Sequence, residues 1–285
     1  MSDELIRKLA PGEFPAPLRE IPDAPKVLYI RGTLPDPDRK LLAVVGSRRM
    51  SRYAKDACEF LISGLAGYPV AVVSGLALGV DGVAHRAALS AGLPTIAIPG
   101  SGLDDAVLYP RAHLSLAHEI LKSGGALLSE FEPDFKPRPE SFPQRNRIMA
   151  GMSHATLIVE AGVQSGTLIT AKLAADYGRE LLIVPHSIFA EGGAGGHIFM
   201  KLGATCVRNA DDILEALGIE KAVVEKDISL TENEREVIEL LREPLTRDEL
   251  IRALQMNISV ANVLLASMEL RGIIAESLGE VRKMI

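Results

Sequence analysis

The stretch LLAVVGSRR occupies residues 41–49. Five apolar residues run without a polar interruption and stop at Gly46-Ser47-Arg48-Arg49. A strand that is apolar on both faces belongs inside a sheet covered on both sides, which is the parallel case. The same pattern recurs in VAVV (70–73), PTIAI (94–98), ALLS (126–129), ATLIV (155–159), LLIV (181–184) and ATCV (204–207). Segments of helical length separate these runs, at about 51–66, 80–91, 111–123, 144–152, 166–178, 195–202 and 210–217. Strand and helix in alternation predict a doubly wound, mostly parallel α/β domain over 41–218.

The flanks read differently. Residues 1–40 carry Pro11, Pro15, Pro17, Pro22, Pro25, Pro35 and Pro37, which predicts an irregular lead-in wrapped over the domain. Residues 219–229 read as a linker. Beyond it come helical patterns at 231–242, 246–254 and 259–271, a break at Gly272, and two short strands around Gly279. Three helices and a hairpin predict a small winged-helix-like domain over 230–285. It holds seven basic and ten acidic residues, a net charge of -3. Its candidate recognition helix, ISVANVLLASMEL, has no base before Arg271. A DNA-reading helix is normally basic, so this domain is expected to contact protein or to pack.

Composition sets outer bounds. At 285 residues and 47% apolar content, the chain can bury one large core and a smaller one. No apolar run reaches the ~18 residues that span a bilayer, and the acidic N-terminus lacks a signal-peptide core. A soluble cytoplasmic protein with no membrane role is expected. Cys58 and Cys206 stand far apart without a CxxC or Cys/His cluster. Both are expected to be small buried apolar residues, and nothing calls for a metal or a cofactor. The net charge of -6 does not exclude a local basic groove, because charge acts over about 10 Å at 0.1 M salt. Trp is absent and aromatics are 4%, so any base-stacking surface rests on few residues.

In open parallel sheets, ligands bind beyond the carboxyl ends of the strands, near the reversal of strand order. The loops at that edge are Gly46-Ser47-Arg48, Ser74-Gly75 and its continuation to Asp81, Pro99-Gly100-Ser101-Gly102, Ser129-Glu130, Glu160 to Thr167, and Pro185-His186 followed by EGGAGGH. Small residues there let backbone N–H groups and helix starts face an anion. The alternative is that the glycines only make tight turns. Five of these six loops together, with Arg48, Arg145 and Arg147, favour a phosphate-binding edge. GxGxxG is absent, because Gly75, Gly79 and Gly82 have the wrong spacing, and no Gly-Lys-Ser/Thr occurs. The anion is then not an ordinary NAD or ATP.

Eight segments in register carry a resemblance: VGSRR (45–49), SGLALGVDGVAHRAAL (74–89), TIAIPGSGLD (95–104), YP (109–110), LLSE (127–130), FPQRNRIMAG (142–151), VEAGVQSGTLITAKLAADYGRELLIVP (159–185) and GGHIFMKLGA (195–204). Together they resemble the DNA-processing protein A (DprA/Smf) family over about 18–215. The resemblance implies an extended Rossmann-like core that binds single-stranded DNA, protects incoming strands in natural transformation and helps load the RecA recombinase. It also implies self-association, as a homodimer through the core, and no catalytic activity. Gly46, Ser47 and Arg48 match the family's GSR loop, with Arg48 on phosphate. Phe142 matches a base-contacting aromatic, Arg145, Asn146 and Arg147 the RNR motif, and Ser165, Gly166 and Thr167 the helix start. Lys136 and Arg138 lie where a further basic contact is expected. His113, His186 and His197 depart from the family's Asn, Gly and Asn. About 40 residues precede the first strand, so the family's frequent N-terminal helical domain is expected to be missing.

Several residues have two readings. Lys136, Arg138, Phe142, Arg145 and Arg147 fall within twelve residues, which suits phosphate contact and base stacking. Arg145 and Arg147 could instead form internal ion pairs with Glu130 or Glu160, and on a helix only one of them faces a ligand. Phe142 could pack under its loop. Asp81 and His85, at i and i+4, are an acid–base pair, half a metal site or a structural hydrogen bond near a helix start. EGGAGGH reads as a mobile loop or a lid. The competing function is a nucleotide phosphoribohydrolase of the lysine-decarboxylase-like (LOG) group, which needs a glutamate shortly after its Gly-Thr. Here Gly166-Thr167 is followed by Leu168, Ile169 and Thr170, with no acid before Asp176.

Overall fold

The computed structural model describes residues 5–220, 230–277 and 279–284. They form two compact units, divided at 221/222. In chain order the first unit contains β1 (Arg7–Leu9), α1 (Ala16–Glu20), β2 (Leu28–Gly32), β3 (Lys40–Val45), α2 (Arg52–Ser63), β4 (Val70–Ser74), α3 (Val80–Ser90), β5 (Thr95–Ala97), α4 (Leu114–Lys122) and β6 (Ala126–Ser129). It continues with α5 (Ser141–Met152), β7 (Ala155–Ile158), α6 (Thr167–Asp176), β8 (Glu180–Ile183), α7 (Ala194–Lys201), β9 (Thr205–Cys206) and α8 (Ala210–Ala216).

One nine-stranded sheet runs β1-β2-β6-β5-β4-β3-β7-β8-β9. From β6 to β9 every pairing is parallel. The chain builds outward from β3 through β4 and β5 to β6, then returns to place β7 on the other flank of β3. The order therefore reverses between β3 and β7, and the loops after these two strands flank the crevice. Both faces of β3 are apolar. Leu41 and Val45 enter one core with Ile148, Met149 and Ala171, while Leu42 and Val44 enter the opposite one with Ala54, Leu61 and Ala84. Each fully buried Leu or Val contributes about 1.5–3 kcal/mol. This two-sided burial is why the strands read as unbroken apolar runs.

The lead-in is more regular than its prolines suggest. β2 joins the sheet antiparallel to β6, with Tyr29 opposite Ser129 and Ile30 opposite Leu128, and β1 pairs antiparallel with β2. Leu18 and Ile21 are buried in the same core as Ile148 of α5. Five strand residues between turn-forming prolines are too short a signal for periodicity to reveal. Cys206 also departs from expectation. Cys58 is buried, and burial pushes its thiol up to about 12, but Cys206 is exposed on the edge strand β9. An edge strand has no neighbour to cover its outer side.

The expected linker at 219–229 lies from residue 221 onward outside the described residues. The second unit contains α9 (Glu232–Leu240), β10 (Leu245–Thr246), α10 (Arg247–Ala253), α11 (Ile258–Leu270), β11 (Ile274–Ser277) and β12 (Glu280–Lys283). Its sheet runs β10-β12-β11, all antiparallel, in the winged-helix arrangement. Capping boxes start α9 at Thr231/Glu234 and α10 at Thr246/Glu249. Val237, Leu250, Ala261, Leu265, Met268 and Val281 make its core. Among the described residues no single helix is long and apolar enough to cross a membrane.

Candidate functional site

A cleft of about 850 Å³ opens where the strand order reverses. Gly46, Ser47 and Arg48 form one wall, Ser165, Gly166 and Thr167 the opposite one, and Phe142, Arg145 and Asn146 of α5 the third side. Three segments up to 121 residues apart in sequence thus meet, because β3 and β7 are neighbours in the sheet.

The β3 wall is held by close backbone packing. Ser47 N–H donates to Glu160 O at 2.8 Å, and Val80 N–H donates to Ser47 O at 3.2 Å. Gly79 has φ 80°, and a Cβ there would stand 2.2 Å from Ser47 O, so only glycine lets α3 begin against this loop. Ser47 Oγ accepts from Arg49 N–H at 3.1 Å. These bonds fix the turn and leave the Arg48 side chain exposed. Its guanidinium carbon sits 5.1 Å from the centroid of the Phe142 ring, within cation–π range. Arg48 makes no ion pair among the described residues. The half-buried Phe142 ring is backed by Tyr109, with centroids 5.6 Å apart. Tyr109 is a site neighbour that the sequence offered only as a Tyr-Pro motif.

On the α6 wall, Ser165 Oγ accepts from Thr167 N–H at 3.2 Å and bonds Thr167 Oγ1 at 2.9 Å. Gly166 is exposed, and its N–H has no acceptor among the described residues. A helix start with an unpaired N–H is suited to an anion.

Beneath the rim lies a buried polar layer. Arg145 is 4% exposed. It donates to Gly75 O at 2.6 Å and to Ile98 O, and its Nε donates to Asn146 Oδ1 at 3.2 Å. Burial pulls its pKa down to about 10, with the Asp81 charge opposing that shift. The Asp81 carboxylate accepts from Gly75 N–H at 3.1 Å and Ala77 N–H at 3.3 Å. Burial raises its pKa against the pull of Arg145. The loop expected to offer N–H groups to an anion therefore spends two of them on an internal carboxylate. Ser74 is likewise committed, donating to Val44 O at 2.6 Å. Ser74 and Gly75 are scaffold here, and a Cβ on Gly75 would stand 2.1 Å from Arg145 Nη1.

Arg147 does not line the cleft. It pairs with Glu130 and donates to Asp23 O at 2.8 Å. Glu130 thus anchors an arginine. Glu160 does not; it holds Ser51 N–H at 3.1 Å and the Ser51 hydroxyl at the start of α2. Asp81 and His85 do not pair, since His85 Nδ1 meets Thr95 Oγ1 at 2.8 Å. Burial drives the His85 pKa down to about 3, helped by the His113, Arg145 and Arg86 charges. Lys136 and Arg138 are exposed on the loop between β6 and α5, outside the cleft lining. Arg138 lies 5.5 Å from the Phe135 ring centroid, and Phe135 stacks on Phe131.

A family model described as DNA recombination-mediator protein A matches residues 6–218. The chain belongs to this family, DprA/Smf. It is 42% identical to protein Smf of Escherichia coli K12 over 204 residues, covering 72% of this chain and 54% of that one. The match to Mycobacterium tuberculosis DprA spans 50% of that protein, so the chain covers about half the length of these curated relatives. The X-ray structure of Streptococcus pneumoniae DprA superposes with a TM-score of 0.67 at 35% identity, covering 75% of both chains. DNA processing protein A of Helicobacter pylori, solved for its single-stranded DNA binding mode, gives a TM-score of 0.65 at 30% identity over 74% of this chain and 95% of that one.

The histidines that depart from the DprA pattern have structural partners. His113 Nδ1 donates to Leu76 O at 2.8 Å, holding a residue whose φ is 60°. His197 Nε2 donates to His186 O at 3.0 Å, and His186 Nδ1 donates to Val184 O at 3.1 Å.

Proposed function

We propose that this protein binds single-stranded DNA in the cleft between β3 and β7, protects it, and helps to load the RecA recombinase onto it. One observation carries the reading. Among the described residues Arg48 stands exposed and without an ion pair over an aromatic ring, and the helix start across the cleft keeps an unpaired N–H. That set offers a charged contact to phosphate and a face to a base. The acidity of the chain as a whole does not weaken it, because the carboxylate nearest the cleft, Asp81, is already bound to backbone N–H groups. The DNA-processing family and the single-strand binding named for the Helicobacter pylori relative point the same way. The contact set is Gly46, Ser47, Arg48, Phe142, Asn146, Ser165, Gly166 and Thr167, with Lys136 and Arg138 as flanking bases.

The protein acts as a binder rather than an enzyme. Among the residues that line the cleft, Asp81 is the sole acid, and no glutamate follows Gly166-Thr167, so the phosphoribohydrolase reading gains nothing. Release of free base from AMP with clear turnover would reverse this. Self-association through the core is supported by the exposed Ile198 and Leu202 on and just past α7, the helix that leads in the chain to the edge strand β9. The winged-helix unit contacts protein. Its α11 exposes Ile258, Val260 and Val263, and Arg247 and Arg271 are paired with Glu269, Glu276 and Glu234.

The test is binding of labelled oligothymidine and of duplex across a salt series. Single strand should bind tighter, with log affinity falling linearly with log salt at about -0.7 per neutralised phosphate. Duplex binding of equal strength would remove the proposal.

A further inference from the structure

The loop after β8 closes a second cavity beside the cleft, of about 710 Å³. Met50, Tyr53, Pro185 and Ala190 give it apolar walls, and Glu160 and His186 line it as well. Arg49 lines both this cavity and the cleft, so the two are adjacent. The glycines of EGGAGGH shape it. A Cβ on Gly193 would stand 2.2 Å from His186 Cβ, and one on Gly192 would stand 2.9 Å from Glu160 Cδ. The chain therefore folds directly over both side chains, which are each 5% exposed.

The chemistry of the pair is unbalanced. His186 Nδ1 faces the Val184 carbonyl. A carbonyl only accepts, so Nδ1 carries the hydrogen, and Nε2 of the neutral ring is a lone-pair acceptor. Nε2 has no hydrogen-bond partner among the described residues. Its neighbour at 3.6 Å is Glu160 Oε2, a second acceptor, which already accepts from the Ser51 hydroxyl and, at 3.2 Å, from Ser51 N–H. His186 Nε2 is the acceptor left without a donor, and an amino group that donates to it has a second hydrogen within reach of Glu160 Oε2, since a carboxylate oxygen can take a further bond. At the rim, Ile188 and Phe189 are 83% and 90% exposed, and they sit in the chain between the lining residues Ser187 and Ala190. An exposed aromatic beside an apolar slot fits a flat ring.

We propose that this cavity is a second nucleobase subsite. It takes an amino-bearing base of the strand held in the first cleft. Phe189 stacks on that strand, Arg49 meets the phosphate between the subsites, and the exocyclic amino group bridges Glu160 and His186. The inference rests on the single-strand reading of the cleft.

The full chain is titrated with labelled oligodeoxycytidine and oligodeoxythymidine of equal length, as wild type and as Phe189→Ala, His186→Leu and Arg48→Ala. Phe189→Ala should weaken oligodeoxycytidine binding roughly tenfold, the loss expected for one stacked base. Phe189 is exposed, so this variant tests the subsite without disturbing the core. Wild type should prefer cytidine to thymidine, and His186→Leu should lose the preference. Wild-type affinity in Phe189→Ala beside weak binding in Arg48→Ala overturns the subsite and leaves the cleft reading standing. Equal affinity of wild type for the two oligonucleotides removes the assigned amino contact. Undiminished binding in Arg48→Ala overturns the cleft reading, and the subsite with it.

Discussion

The rim of the cleft and the layer beneath it use the same residue types to opposite ends. Arg48 at the rim is exposed, has no ion pair among the described residues and is poised over Phe142. Arg145, also lining the cleft, is buried and bound to two backbone carbonyls. An arginine becomes a ligand contact only where the fold leaves its donors unspent. Serines divide in the same way. Ser165 shapes an exposed helix start, whereas Ser74 is consumed by Val44 O. Hydrogen bonds already made inside the protein decide which groups remain for a partner.

Breaking the buried layer should have the largest effect. Arg145→Ala removes the guanidinium donors to the carbonyls of Gly75 and Ile98 and the strongest charge that offsets the burial of Asp81. Loss of about 3 kcal/mol or more is expected in denaturant unfolding. A stability close to wild type would mean that the layer is not structural. Arg48→Ala should do the reverse. Unfolding should stay within about 0.5 kcal/mol of wild type, while single-strand affinity falls by roughly 2 kcal/mol, about thirtyfold, as one charge-assisted contact is lost. Its salt dependence should also become shallower.

A third test uses pH. The folded His85 takes up its proton only near pH 3, against an ordinary value of 6.5. Between these values the unfolded chain binds more protons, so stability is full above pH 6.5 and falls as pH drops. Between pH 7 and 5.5 this amounts to about 1 kcal/mol. His85→Gln should flatten that limb, and an unchanged slope would show that His85 is not its source. The smallest effect is expected for Arg147→Ala, which should leave strand affinity and its salt slope at wild-type levels. Weakened binding would place Arg147 in the interface and erase the division between rim and layer.

Much of this was readable beforehand. LLAVV and its repeats specify two-sided burial, since period-2 alternation with both sets apolar admits few other arrangements. The Gly46-Ser47-Arg48 turn and the Ser165-Gly166-Thr167 helix start were identifiable as one edge because both follow such strands. β2 was missed because five residues between prolines carry too little pattern. The exposure of Cys206 was missed because composition does not show that β9 lies at an edge.

The RNR motif marks the limit of sequence reading. Its helical spacing separates the two arginines but does not say where either points. Packing against Gly75 and Ile98 commits Arg145, and Glu130 with Asp23 commits Arg147. The sequence by itself determined the layered fold, because periodicity is a local property, and its motifs in register carried the resemblance to the family. Only the tertiary structure decided which polar groups are spent and which stay free, because hydrogen-bond partners are set by residues distant along the chain.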